Sequence, residues 1–311
     1  MSRQRYLARR VGVAAVLGLG VFGLVKAAGA LTGDDGEPVV EGTGTTVASG
    51  DGTAAAAASS APVTADATAA ATEPPTTPEP VETGPPSADN PARLLVVGDS
   101  DAGTFGPYLD VLMDDTGVVD SEVDYKVSSG LSRPDFFDWP DHVRTKLEEV
   151  DPDIVVVTFG GNDAQGMATV DGEFPDEWAD PVGQRRTWFP EYRRRVGEFT
   201  DLLLADPDRT VIWVGIPNDN NPQVTRRLAV QDEAVRAALG QRPRVIFVDT
   251  WKRFSGRDGN WAEYVIDPRD HRGKDVRADD GFHLNENGAE ILALDIANVI
   301  GEDLVARGAD L

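Results

Sequence analysis

Gly98-Asp99-Ser100 follows the apolar run Leu94-Leu95-Val96-Val97 and precedes a helical pattern, which puts a serine at a strand-to-helix turn. In a parallel sheet such turns form the working edge, where strands end and helices begin. A serine hydroxyl becomes a nucleophile only with a base in hydrogen-bond reach. The chain has 3 histidines, His142, His271 and His283, so few bases are available. His283 lies in Asp280-Gly281-Phe282-His283, with a carboxylate three residues before it. Asp280 can fix the imidazole tautomer and stabilise the imidazolium formed when His283 takes the serine proton. The oxyanion that forms on the attacked carbonyl needs preorganised donors. Gly130, in Ser128-Ser129-Gly130-Leu131, allows close backbone approach, and Asn162, in Gly160-Gly161-Asn162-Asp163, offers a neutral amide. These residue types imply acyl chemistry through an acyl-serine, ending on water or on another hydroxyl.

The elements that must position them form a series. Short β-rich runs occur at 93–97, 123–127, 154–159, 210–216 and 244–248. Most are apolar throughout, as strands buried on both faces are, whereas 123–127 alternates and suits an edge. Helical patterns lie between them. Phe105, Leu109, Leu112 and Met113 share one face. Tyr192, Val196, Phe199 and Leu203 share another, with Pro190 near the helix start, and Leu292, Ile296, Val299 and Ile300 mark the last helix. Strands alternating with helices predict a parallel sheet covered on both sides. Ser100, Gly130, the 160–163 segment and the 218–221 segment then follow successive strands, and His283 opens the last helix. All of them fall on one edge.

Neighbouring residues have plainer expected roles. Asp99, Asp163 and Asp249, at strand ends, are hydrogen-bond anchors. His271 lies in a very polar loop and His142 on the surface. Asp267, Asp270, Asp275, Asp279 and Asp280 lack the spacing and glycine of a calcium loop. Ala102 stands where an α/β-hydrolase elbow would have its second glycine. Asp101 directly follows the serine; a carboxylate facing the oxyanion would oppose its charge, so Asp101 is expected to turn outward and complement the helix dipole. The segments 165–189 (Trp178, Arg185, Arg186, Trp188) and 251–279 (Trp261, Tyr264) are long enough to shape a substrate site.

With these segments in order, residues 92–305 resemble the SGNH hydrolase superfamily, also called GDSL-type esterases and lipases. Ser100 matches its nucleophile block, Gly130 its glycine block, Asn162 its asparagine block, and Asp280 with His283 its final D-x-x-H block. The stretches 133–139 and 159–165 look like a bacterial, membrane-tethered branch. The resemblance implies a three-layer α/β/α sandwich, a five-stranded parallel sheet of flavodoxin-like order 2-1-3-4-5, and neither metal nor cofactor. One position departs from it, because the family often carries an apolar or small residue where Asp101 stands.

The chain of 311 residues divides by composition into 1–31, 32–91 and 92–311. Arg3, Arg5, Arg9 and Arg10 precede an uncharged, largely apolar run from Val11 to Val25, then Lys26 and Ala27-Ala28-Gly29-Ala30. Such a segment reads as a cleaved secretory signal or as an uncleaved anchor; both export the remainder. Residues 32–91, rich in Ala, Thr, Pro and Gly, read as a disordered tether spanning about 40 to 45 Å on average. The formal net charge is −24 despite the basic head, which disfavours nucleic acid and anionic lipid as partners of the body. A membrane is expected to be met only through the N-terminal segment. The expected activity is an extracytoplasmic serine esterase acting on a small acyl ester such as acetyl, free or carried by an acylated envelope glycan. An O-acyltransferase using the same triad, and a silent domain binding envelope glycan or a partner protein, are the alternatives.

Overall fold

The computed structural model describes residues 84–311; the expected signal or anchor, and the tether up to residue 83, lie outside the described residues. Five parallel strands form the sheet: β1 (Ala92–Gly98), β2 (Val119–Tyr125), β3 (Ile154–Thr158), β4 (Thr210–Val214) and β5 (Val245–Val248), in the order β2-β1-β3-β4-β5. The fold is the expected three-layer α/β sandwich. Its helices are α1 (Ser100–Asp114), α2 (Trp139–Val150), α3 (Arg185–Leu203), α4 (Pro222–Leu239), a short α5 (Thr250–Arg253) and α6 (Glu286–Ala306). A two-stranded antiparallel ribbon, β6 (Tyr264–Ile266) and β7 (Gly273–Asp275), lies within the 251–279 segment.

Alternation along the central strands divides the core in two. Leu94, Val96, Ile154, Val156, Ile212 and Val214 face α1 and α6, where Phe105, Leu109, Ile296 and Ile300 meet them. Leu95, Val97, Val155, Val157, Val211 and Trp213 face α2, α3 and α4, against Trp139, Val143, Tyr192, Val196, Phe199 and Ala234. Phe159, Phe199 and Trp213 pack edge to face, with centroids 5.2 to 6.5 Å apart, a geometry that adds to area burial. The helices start on recognisable caps: Asp99 accepts from the Asp101 N–H, Asp138 precedes Trp139-Pro140, and Asn221 precedes Pro222.

Three sequence expectations shift. Strand β2 is an edge strand, but it starts at Val119 and ends before Lys126. Its inward face is Val119, Val123 and Tyr125, and the chain then turns through Ser128, in left-handed backbone, with Ser129 N–H bonded to the Lys126 carbonyl. Helix α3 begins at Arg185, so Pro190 lies inside it; the fully buried Trp188 anchors the added first turn. His283 precedes α6 rather than opening it. The residues around it are committed to a tight backbone ladder, Ala278 N–H to the His283 carbonyl and an Arg277–Leu284 bridge, and α6 is capped by Asn285. No helix among the described residues is long and apolar enough to cross a membrane.

Candidate active site

Parallel register sets the site. Gly98 pairs with Tyr125 of β2 and Thr158 of β3, so the three strands finish level and their following segments converge. Ser100, the first residue of α1, lies in this convergence. Its Oγ is 2.9 Å from Nε2 of His283, whose Nδ1 is 2.6 Å from Oδ2 of Asp280. The other Asp280 oxygen accepts the backbone N–H groups of Phe282 and His283, both at 3.0 Å, which fixes the carboxylate on its own turn. The structure therefore brings Ser100, His283 and Asp280 into one hydrogen-bonded relay across 183 residues of sequence.

Gly130 and Asn162 are set beside it by two buried carboxylates. Asp163 accepts the Leu131 and Ser132 N–H groups at 2.9 and 2.8 Å and the Tyr192 hydroxyl at 2.7 Å, fastening the Gly130 loop to the end of β3. A Cβ on Gly130 would collide with that carboxylate, so only glycine fits here. Asp99 accepts the Gly160 N–H at 2.7 Å and lies 3.4 Å from the Asn162 amide nitrogen. One amide hydrogen is thereby oriented. The Ser100 N–H opens α1, where backbone donors have no intrahelical partner. Asp99, Asp163 and Asp249 are anchors as their positions suggest, Asp249 capping α5 through the Lys252 N–H.

Asp101 corrects the sequence expectation. It does not turn outward: it is buried, its carboxylate occupies the space where a Gly160 side chain would be, and Oδ2 has no hydrogen-bond partner. The Asp99 cap holds the Asp101 N–H, and glycine at 160 provides a seat that any other residue would fill. Burial raises the Asp101 pKa, and the nearby His283 charge opposes that rise. His142, on α2 and partly exposed, is bonded to Asp124 at 2.6 Å and takes no part in the relay. His271 is exposed.

Sequence reasoning missed Arg277. Its guanidinium donates to the carbonyls of Asn218, Phe282, Phe254 and Ala262 and to the side-chain oxygen of Asn218, stapling the His283 turn to the segments after β4 and β5. Burial lowers its pKa to about 10, with Asp219, Asp101 and Asp280 opposing the fall. The only signal was a lone base in the acidic stretch 275–280, which spacing alone does not interpret. Trp261 also serves this turn, its indole N–H bonded to the Gly281 carbonyl at 2.8 Å. Trp188 is core, stacked on Tyr192, while Trp178 joins Gly130, Leu131, Phe137 and Trp139 around a cavity of about 820 Å³. Of the acidic residues before the D-x-x-H turn, Asp267 is paired with Arg269 and Asp270 with Lys274.

Fold and relay together have the arrangement of a serine ester hydrolase of the SGNH type. The family described as "Protein of unknown function (DUF459)" matches residues 93–299, and the chain belongs to that family. A search of curated proteins finds none that matches. Among solved structures, the chain is similar to a GDSL-like lipase from Bacteroides thetaiotaomicron, at 14% identity and a TM-score of 0.45, covering 68% of this chain and 88% of that one. It is also similar to a carbohydrate esterase family 3 protein from Talaromyces cellulolyticus, at 13% identity and a TM-score of 0.46, covering 69% and 99%.

Two predictions follow from the electrostatics and the donors. Burial alone would lower the His283 pKa, but the Asp280 hydrogen bond and the charges of Asp101, Asp280 and Asp99 outweigh it and raise it to about 9. A base must be neutral to take the serine proton, so kcat/KM on an activated acetate ester should climb as pH rises toward about 9. Stability should move the other way. The folded state holds this proton more tightly than the unfolded chain, so the contribution is complete below about 6.5 and lost as pH rises through about 9. Paired rate and melting profiles check both, and an acid limb near 6.5 would contradict the raised value. For the amide, Asn162→Ala should lower kcat on the order of 10²- to 10³-fold with KM nearly unchanged. Equal melting temperatures would show the loss to be chemical, and a folded variant keeping a third of parental kcat would remove Asn162 from the oxyanion site.

Proposed function

We propose that the protein is an extracytoplasmic serine esterase that removes a small acyl group, such as acetyl, from an ester, including esters on an envelope polysaccharide. The carrying observation is the assembled relay, 2.9 Å from Ser100 to His283 and 2.6 Å from His283 to Asp280. His283 Nε2 takes the Ser100 proton as Oγ attacks the acyl carbon. The oxyanion is held by the backbone N–H groups of Ser100 and Gly130 and the Asn162 amide, and His283 returns the proton to the departing alkoxide. Water then repeats the sequence on the acyl-serine and releases the acid. Asp280, hydrogen-bonded to the imidazole and held below the ordinary carboxylate range despite burial, keeps its charge while the imidazolium exists. A small acyl group is in keeping with Phe282, whose ring lies against Gly161, next to Asn162 in the chain, and packs edge-on to His283 at 5.1 Å.

The reading is tested with the full chain and a fluorophosphonate probe. Stoichiometric labelling at Ser100, abolished in Ser100→Ala, is expected, and an unlabelled, folded protein would leave only a binding role. Acyl release should exceed acyl transfer to glycan oligomers at modest acceptor concentration; transfer clearly outrunning hydrolysis would make the protein an O-acyltransferase. Location rests on the basic head and the apolar run at 11–25. A reporter fused after Leu311 should be open to protease on intact cells, and a protected reporter would overturn the extracytoplasmic assignment.

A further inference from the structure

We propose that Asp101 is a positioning residue for catalysis, a second carboxylate that supports the His283 imidazolium through space while Asp280 supports it through a hydrogen bond. The inference rests on the esterase reading above and goes beyond its triad. Three observations carry it. Asp101 adjoins the nucleophile in the first turn of α1, its carboxylate is buried in the seat left by Gly160, and its Oδ2 has no donor. A buried carboxylate oxygen with no donor is costly, and a structural role would show hydrogen bonds of the kind that hold Asp99 and Asp163. Asp101 has one donor-free oxygen, and the positive groups whose charge reaches it are His283 and Arg277.

The groups that act on His283 are Asp280 from its own turn, Asp101 from α1 and Asp99 from the end of β1. Asp219, after β4, feels the charges of both His283 and Arg277. Arg277 is spent on carbonyls and opposes a positive imidazole. Asp99 is already occupied by N–H donors. Among these carboxylates, Asp101 is the one with a buried oxygen that no donor reaches. When Ser100 gives up its proton, the new positive charge on His283 is formed in the field of Asp101. The carboxylate itself lies over Gly160.

The test is the pH profile of Asp101→Asn and Asp101→Leu, read both as kcat/KM on an activated acetate ester and as the rate of fluorophosphonate inactivation. Loss of the charge should move the acid limb to lower pH by on the order of one unit and lower plateau kcat, with KM little changed. Removing a buried carboxylate whose Oδ2 has no donor should also leave melting temperature equal or higher, and the leucine variant gives the same readout if the asparagine variant fails to fold. An acid limb at the parental pH in either folded variant would overturn the proposal. The two readings fail separately: a parent that the probe does not label sinks the esterase, whereas a labelled parent with unmoved variant profiles sinks only the role of Asp101.

Discussion

His283 reaches Ser100 because Arg277 holds the turn that carries it. That turn is short and runs from Arg277 to Leu284; Leu284 and the preceding Val276 are buried in the core beside α1 and α6, and Phe282 joins a small cluster with Ala164, Ile216 and Leu228. The guanidinium lies beneath it and ties four segments together through their carbonyls. Guanidinium suits this task better than an ammonium, since its planar fork can serve several fixed acceptors at once. The same cation helps to offset the carboxylates of Asp101, Asp219 and Asp280, so placement and charge balance come from one side chain.

The other half of the site uses the opposite sign. Asp99 and Asp163 are buried carboxylates that accept backbone N–H groups from loops following β2 and β3. Burial raises both pKa values, and the hydrogen bonds they accept pull against that rise. Each carboxylate satisfies backbone donors that a loop packed at a sheet end could not otherwise pair. Gln231 completes the frame by donating to the Phe159 and Gly160 carbonyls and the Tyr192 hydroxyl. These bonds fix the Gly130 and Asn162 segments in the folded chain, the preorganisation that the proposed oxyanion role requires.

Much of this was legible in the sequence, and the reasons are local. Leu94 to Val97 and Ile154 to Val157 are apolar on both faces, which leaves central parallel strands as the natural reading, and the relay residues sit on turns with distinctive neighbours. Strand β2 was misplaced because its inward face is carried by only three residues spaced among acids, with Asp124 and Glu122 turned toward His142 and Lys146 of α2. The start of α3 was hidden by Pro190, since a proline usually marks a first turn, and only the burial of Trp188 shows that the helix begins earlier. Arg277 and the inward Asp101 were out of reach for a different reason. Their roles depend on carbonyls and on an empty glycine seat supplied by segments distant in sequence, and no periodicity encodes those.

Ser100 stands at the start of the first helix and His283 just before the last, 183 residues later. Between them lie four of the five sheet strands, and the His283 turn is held by carbonyls from segments following β4 and β5. The relay thus closes a long loop in a topology with high contact order, the kind of contact formed late because its entropy is recovered only when the intervening chain is in place. A chain whose carboxyl-terminal third has not yet docked can have a complete sheet edge at β1 and still lack a base. Reactivity at the serine is in this sense a report that the last turn has docked.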